Sequence, residues 1–126
     1  VKLKHSEHKL QCAIVDFFHI FGRRDLKLFA IGNGGLRHIK VAMLLKAEGV
    51  TPGVPDLCLP LPDGKTGWME LKSKSGRLSD EQTGFLHMLR ELGHHVAVIR
   101  SVDEAARALS EWQALRPGAP VPEEAA

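Results

Sequence analysis

Three residues of this sequence, Asp56, Glu70 and Lys72, combine types and spacing that can do chemistry. Glu70 and Lys72 stand two apart, so on a strand they project to one face while apolar Leu71 turns the other way into a core. A hairpin that returns Glu70 toward Asp56 brings two hard carboxylate donors together. That donor type suits Mg2+ or Mn2+, and the backbone carbonyl of Leu71 is a further oxygen beside them. Phosphodiester hydrolysis asks for such a set: positive charge where the phosphate grows negative, and a water made easier to deprotonate. Lys72 would orient the water or stabilise the developing charge, and its ammonium offsets the repulsion between the carboxylates. The plain alternative is a strand-edge ion pair between Glu70 and Lys72, with Asp56 merely ending a loop.

The surrounding pattern supplies elements that can position these residues. Residues 7 to 21 carry Leu10, Ile14, Phe17, Phe18 and Phe21 at helical spacing, and Gly22 is a natural terminator. Leu26 to Ile31 reads as a strand, Asn33-Gly34-Gly35 as a turn, and Leu36 to Glu48 as a second helix ending at Gly49. Two prolines and two glycines make residues 49 to 55 a structured loop that delivers the chain to Asp56. Leu57 to Leu61 and Thr66 to Ser73 read as a hairpin turned at Asp63-Gly64. Ser79 with Gln82 three residues later makes a capping box for a helix bearing Phe85, Leu86, Leu89 and Leu92, closed by Gly93. Val96 to Ile99 is a buried strand, and Val102 to Trp112 a last helix.

Helix, strand, helix, strand, strand, helix, strand, helix predicts an α/β fold with a central mixed β-sheet flanked by helices on both faces. The hairpin pair must be antiparallel, and the strand that follows a helix can run parallel to its neighbour. Residues 1–116 read as one domain and residues 117–126, with three prolines and a glycine, as a flexible tail.

Composition excludes several classes. Hydrophobic residues at 44% and charged residues at 25% describe a folded globular chain rather than a disordered or fibrous one. No apolar run is long enough to cross a bilayer and no signal-peptide pattern opens the chain, so the expected setting is cytoplasmic and away from membranes. Cys12 and Cys58 sit in apolar contexts and are expected as buried reduced thiols. The seven histidines, His5 and His8 among them, complete no four-ligand spacing, and Ser73, Ser75 and Ser79 lack a matching His and acid. The glycines near residue 34 lack the lysine and hydroxyl of a nucleotide loop.

The net charge of +2 hides an asymmetry, for residues 1 to 50 carry nine Lys or Arg against four Asp or Glu. Arg37 and Lys40, joined by Lys74 and Arg77 after the central motif, are candidate phosphate contacts, unless they simply solvate the surface.

Glu7 and Gln11, then Gly53-Val54-Pro55-Asp56, then Glu70-Leu71-Lys72, then Gln82, in that order, resemble the VRR-NUC family of the PD-(D/E)XK nuclease superfamily over residues 7 to about 99. The resemblance implies a restriction-endonuclease-like core. It also implies Asp56 and Glu70 as metal ligands, Lys72 as the catalytic lysine, Glu7 as an accessory acid and further metal ligand, and Gln82 as a polar group facing the site. Glu7 and Gln11 are four apart and share a helix face, although Glu7 equally suits a first helical turn and Gln82 a capping box. Asn33, Gly34 and Arg37 resemble the family's Asn-Gly region, where phosphate can approach the backbone, and Gln11 joins them as a nucleic-acid contact. The implied activity is Mg2+- or Mn2+-dependent endonuclease cleavage of DNA, structure-specific on branched DNA such as four-way (Holliday) junctions. A homodimer in a bacterial cell or phage-infected host goes with it, its interface expected on helices 7 to 21 or 102 to 112. The competing expectations are a DNA-binding or structural module with this fold and little activity, an RNA-directed relative, and a nonenzymatic metal-binding module.

Overall fold

The computed structural model describes residues 5–32 and 39–124. The eight elements come in the predicted order: α1 (His5–Phe21), β1 (Phe29–Ala30), α2 (Ile39–Ala47), β2 (Leu57–Pro60), β3 (Thr66–Leu71), α3 (Asp80–Glu91), β4 (His95–Ile99) and α4 (Val102–Glu111). The strands form one mixed sheet in the order β1-β2-β3-β4, antiparallel across the first two pairs and parallel between β3 and β4.

Strand alternation sorts the sheet into two chemically different faces. Met69 and Leu71 of β3 join Leu57, Leu59 and Ile99 in one buried cluster with Ile14 and Phe18 of α1 and Ala105, Ala108 and Leu109 of α4. Trp68, Glu70 and the following Lys72 therefore share the opposite face. Over that face lies the start of α3, whose Gln82 reaches Glu70. The same face rule corrects the expectation for the thiols. Cys58 is buried, but Cys12 is exposed, because it lies about half a helical turn from Ile14 on the solvent side of α1.

Local chemistry explains the boundaries. Gly64 adopts φ +81 in the β2–β3 turn, where Leu61 N–H donates to the Lys65 carbonyl at 2.9 Å and Asp63 Oδ1 accepts from Lys65 N–H at 2.9 Å. β1 is shorter than the predicted Leu26 to Ile31. Its register pairs Phe29 with Cys58, so continuing it would bring Lys27 opposite Pro60, which has no N–H to give. Leu26 and Leu28 still pack on the core without belonging to the ladder. β3 ends at Leu71 rather than Ser73, although Lys72 N–H still donates to the Ile99 carbonyl at 3.0 Å. The apolar stripe of α3 is also shorter than expected: Leu86 and Leu89 are buried, whereas Leu92, at its C-cap, is 67% exposed.

After α4 the chain returns to α1. Gly22 and Leu115 form a bridge, Arg116 N–H donates to the Phe21 carbonyl at 2.8 Å, and Arg107 Nη1 lies 3.5 Å from the carbonyls of Pro122 and Glu123. Among the described residues no helix is long and apolar enough to cross a membrane.

Candidate active site

The site begins where three chain segments converge at one end of β2 and β3. Asp56 immediately precedes β2, and its carbonyl accepts the Ile31 N–H at 2.9 Å, so its backbone is held from the β1 side. Its side chain turns toward β3, with Oδ2 accepting the Leu71 N–H at 2.8 Å. The loop before it is anchored by Gly53. This residue has φ +91 and packs so closely on the first turn of α3 that an added Cβ would overlap the Glu81 carbonyl. The glycine in Gly53-Val54-Pro55-Asp56 thus does more than turn the chain: it docks the Asp56 loop against the helix that carries Gln82.

Glu70 is 2% exposed and Lys72 4% exposed, a rare pair of buried ionisable groups on one strand face. Glu70 Oε1 is buried with no N–H donor to accept from, while Oε2 lies 3.4 Å from Gln82 Nε2. Burial is the main force pushing the Glu70 carboxyl up to about 8, followed by its hydrogen bond with Asp56 and the Asp56 charge. Lys72 opposes the rise, and Glu7 adds a smaller push in the same direction as Asp56. These couplings put the three carboxylates and the lysine within electrostatic reach of one another.

The side chain of Gln82 makes two separate contacts. Its Oε1 accepts the Ser79 N–H at 2.9 Å and its own N–H reaches Ser79 Oγ at 3.1 Å, completing the capping box. The other end of the same amide is aimed at Glu70.

The outer candidates divide. Gln11 is half-buried on α1, one turn beyond Glu7. Lys74 and Arg77 are exposed in the segment between β3 and α3, and Lys40 is exposed in the first turn of α2. Asn33, Gly34 and Arg37 lie outside the described residues. Among the other basic residues of the first half, Arg23 is committed to a fork on Asp25 at 2.7 and 3.0 Å.

The sequence reading missed Arg100. Its Nη1 donates to the carbonyls of Ser73 at 2.6 Å and Gly76 at 2.7 Å, holding the turn that follows Lys72. The available signal was parallel pairing, since Leu71 opposite Ile99 brings residue 100 alongside the chain leaving β3.

The donor set fits a hard divalent cation. A buried carboxylate with an oxygen that no N–H reaches, beside a second carboxylate, is costly unless a proton or a cation lies between them. Among the described residues, however, no group of three or more His, Cys, Asp or Glu side chains gathers as a ready ligand cluster.

Comparison with known proteins agrees with this architecture. The VRR-NUC domain family model matches residues 2–103. A solved structure described as a VRR_NUC domain protein superposes with a TM-score of 0.71 at 16% identity, covering 89% of this chain and 90% of the other. A second, described as a VRR_NUC domain, gives a TM-score of 0.56 at 20% identity over 84% of this chain and 95% of its own. No match is found among curated proteins.

Proposed function

Since the chain belongs to the VRR-NUC family, we propose that it is a divalent-metal-dependent DNA endonuclease, with residues 1–116 as the nuclease domain. The observation that carries this reading is the buried Glu70 carboxyl, with one oxygen that no N–H reaches, set against Asp56 and followed on the same face by buried Lys72. Asp56, Glu70 and the Leu71 carbonyl would hold Mg2+ or Mn2+, with Glu7 as a further acid. When bound, the cation supplies positive charge to the scissile phosphate and makes water easier to deprotonate.

The protein's own groups supply the remainder. Lys72, buried one residue past the end of β3 and held there by its N–H on the Ile99 carbonyl, presents an ammonium that orients the attacking water and stabilises the charge developing on the phosphoryl oxygens. Gln82 steadies Glu70 through its amide nitrogen while its oxygen is tied to the helix cap, so the ligand is held by a rigid element. Lys40, Lys74, Arg77 and Arg37 would track the DNA backbone, together with Gln11, Asn33 and Gly34.

Branched DNA such as a four-way junction is the preferred substrate, and a homodimer would meet its symmetry-related strands. For that dimer, α1, which exposes Ile20 at 55%, stays a candidate interface, and α2 joins it in place of α4. The apolar residues of α4 are spent in the core, whereas α2 touches no other helix or strand among the described residues and exposes Met43 at 66% and Leu44 at 63%.

The second reading is a DNA-binding or structural module with this fold and little turnover. It is favoured by the lack of a ready ligand cluster among the described residues, and by a Glu70 carboxyl that keeps its proton near neutral pH. A panel of linear, flapped and four-way DNA, with RNA counterparts, incubated with Mg2+, Mn2+ or Ca2+ separates the two. The nuclease reading expects cutting of branched DNA with Mg2+ or Mn2+. Binding without cutting by any substrate or metal would give the second reading its place.

A further inference from the structure

The turn after Lys72 is closed by its own backbone, Gly76 N–H donating to the Ser73 carbonyl at 3.1 Å, and is clamped from the inside by one side chain. Arg100 Nη1 lies 2.6 Å from the Ser73 carbonyl, 2.7 Å from that of Gly76 and 3.5 Å from that of Lys74. Arg100 is itself held, for its N–H donates to Glu104 Oε1 at 2.7 Å, and the Glu104 amide donates to Ser101 Oγ at 3.2 Å in the N-cap of α4. A trans peptide points its carbonyl and its N–H in opposite directions, and the described chain has no cis bonds. Drawing in the carbonyls of Ser73, Lys74 and Gly76 therefore directs the N–H groups of Lys74, Ser75 and Arg77 away from the guanidinium.

Neighbouring outward N–H groups on a turn can take an anion, and Lys74 and Arg77 add exposed cationic side chains beside these. The turn also lies on the stem of Lys72, since a Cβ on Gly76 would come within 3.5 Å of Lys72 Cδ and 2.9 Å of Ser73 Oγ. We propose that the Ser73–Arg77 segment, clamped by Arg100, is a main-chain cradle for a backbone phosphate of the bound nucleic-acid strand, next to the one at Lys72. This rests on the nuclease reading for the identity of its ligand but not on any cleavage step. Arg100 is a positioning residue here: it touches no phosphate and acts through the peptides it turns.

The test is amide NMR on the metal-free 126-residue chain, titrated with a short DNA duplex and separately with inorganic phosphate. The amides of Lys74, Ser75 and Arg77 are expected to shift with DNA. Arg100→Gln should erase those shifts, leave the amides of the sheet in place, and weaken DNA binding about tenfold, or ~1.4 kcal/mol. Arg100→Lys should restore part of the effect. If Arg100→Gln does not fold, Lys74→Pro against Lys74→Ala decides: both lose the side-chain charge, only proline loses the N–H, and proline is tolerated at this turn position. Weaker binding by the proline variant is expected. Shifts that are absent in the parent or unchanged in Arg100→Gln, or equal binding by the two Lys74 variants, would overturn the cradle. Shifts with inorganic phosphate but not with DNA would overturn its assignment to a strand. A parent that shows the DNA shifts yet never cleaves defeats the nuclease reading and leaves the cradle standing.

Discussion

Gln82 and Glu70 are joined end to end: the Gln82 amide gives its oxygen to the cap of α3 and sets its nitrogen 3.4 Å from Glu70 Oε2. Gln82→Glu separates these roles. It keeps an acceptor for the Ser79 N–H but replaces the donor facing Glu70 with a second acid. The variant should unfold close to the parent temperature at about pH 5 and well below it at about pH 8.5, where both carboxyls seek to ionise. Thermal denaturation at the two pH values reads this, and an equal loss at both would assign Gln82 to capping alone.

The raised Glu70 carboxyl makes metal-free stability depend on pH. Its ordinary value is 4.5 and its folded value about 8, so between these the folded state binds a proton that the unfolded chain has released. Stability from this group is full below the lower value and is lost as pH rises through the upper one. Urea denaturation in EDTA should show stability falling from about pH 5 to about pH 8.5, and Glu70→Gln should flatten that slope. Added Mg2+ should then stabilise the parent more at the higher pH, where it has no proton to displace.

Gly53→Ala tests how the Asp56 loop is seated. Alanine must adopt φ +91 and place its Cβ into the Glu81 carbonyl, and the latter is backbone that cannot turn aside. A loss of about 1–3 kcal/mol or more is expected. The loop should lift from α3, so Mg2+-dependent thermal stabilisation should shrink along with the melting temperature. A variant with parental stability and parental response to Mg2+ would show that the contact is dispensable.

The two thiols should differ in reactivity. Cys12 is exposed with His8 Nε2 at 3.7 Å, whereas Cys58 is buried and its thiol is pushed up by that burial. One equivalent of a thiol reagent should be consumed quickly by the native protein and the second only on unfolding. Equal rates would place Cys58 at the surface.

The elements were legible because each is written locally. The Ile14–Phe18 spacing, the Asp63-Gly64 turn and the Ser79–Gln82 box each needed only a few residues of context, and the structure contains all three. The approach of Glu70 to Asp56 followed from the hairpin register, which is why that pair could be named in advance. What stayed hidden depends on partners far along the chain. The length of β1 is limited by Pro60, the role of Gly53 by α3, and the clamp of Arg100 by the parallel register of β3 and β4. The exposure of Cys12 was readable from its place on α1, but apolar neighbours in sequence are not neighbours on a helix face.

The proposed hydrolase rests on the Asp56–Glu70 niche and Lys72, and its sharpest test is single-turnover cleavage of four-way junction DNA by the parent beside Lys72→Met and Glu70→Gln. Mg2+- or Mn2+-dependent cutting by the parent is expected. Lys72→Met should be slower by about a hundredfold or more, or on the order of 3 kcal/mol in the transition state, with metal and DNA binding largely kept. Glu70→Gln should lose metal affinity and cleavage together. Near-parental cutting by either folded variant, or no cutting by the folded parent on junction DNA with either metal, would contradict it.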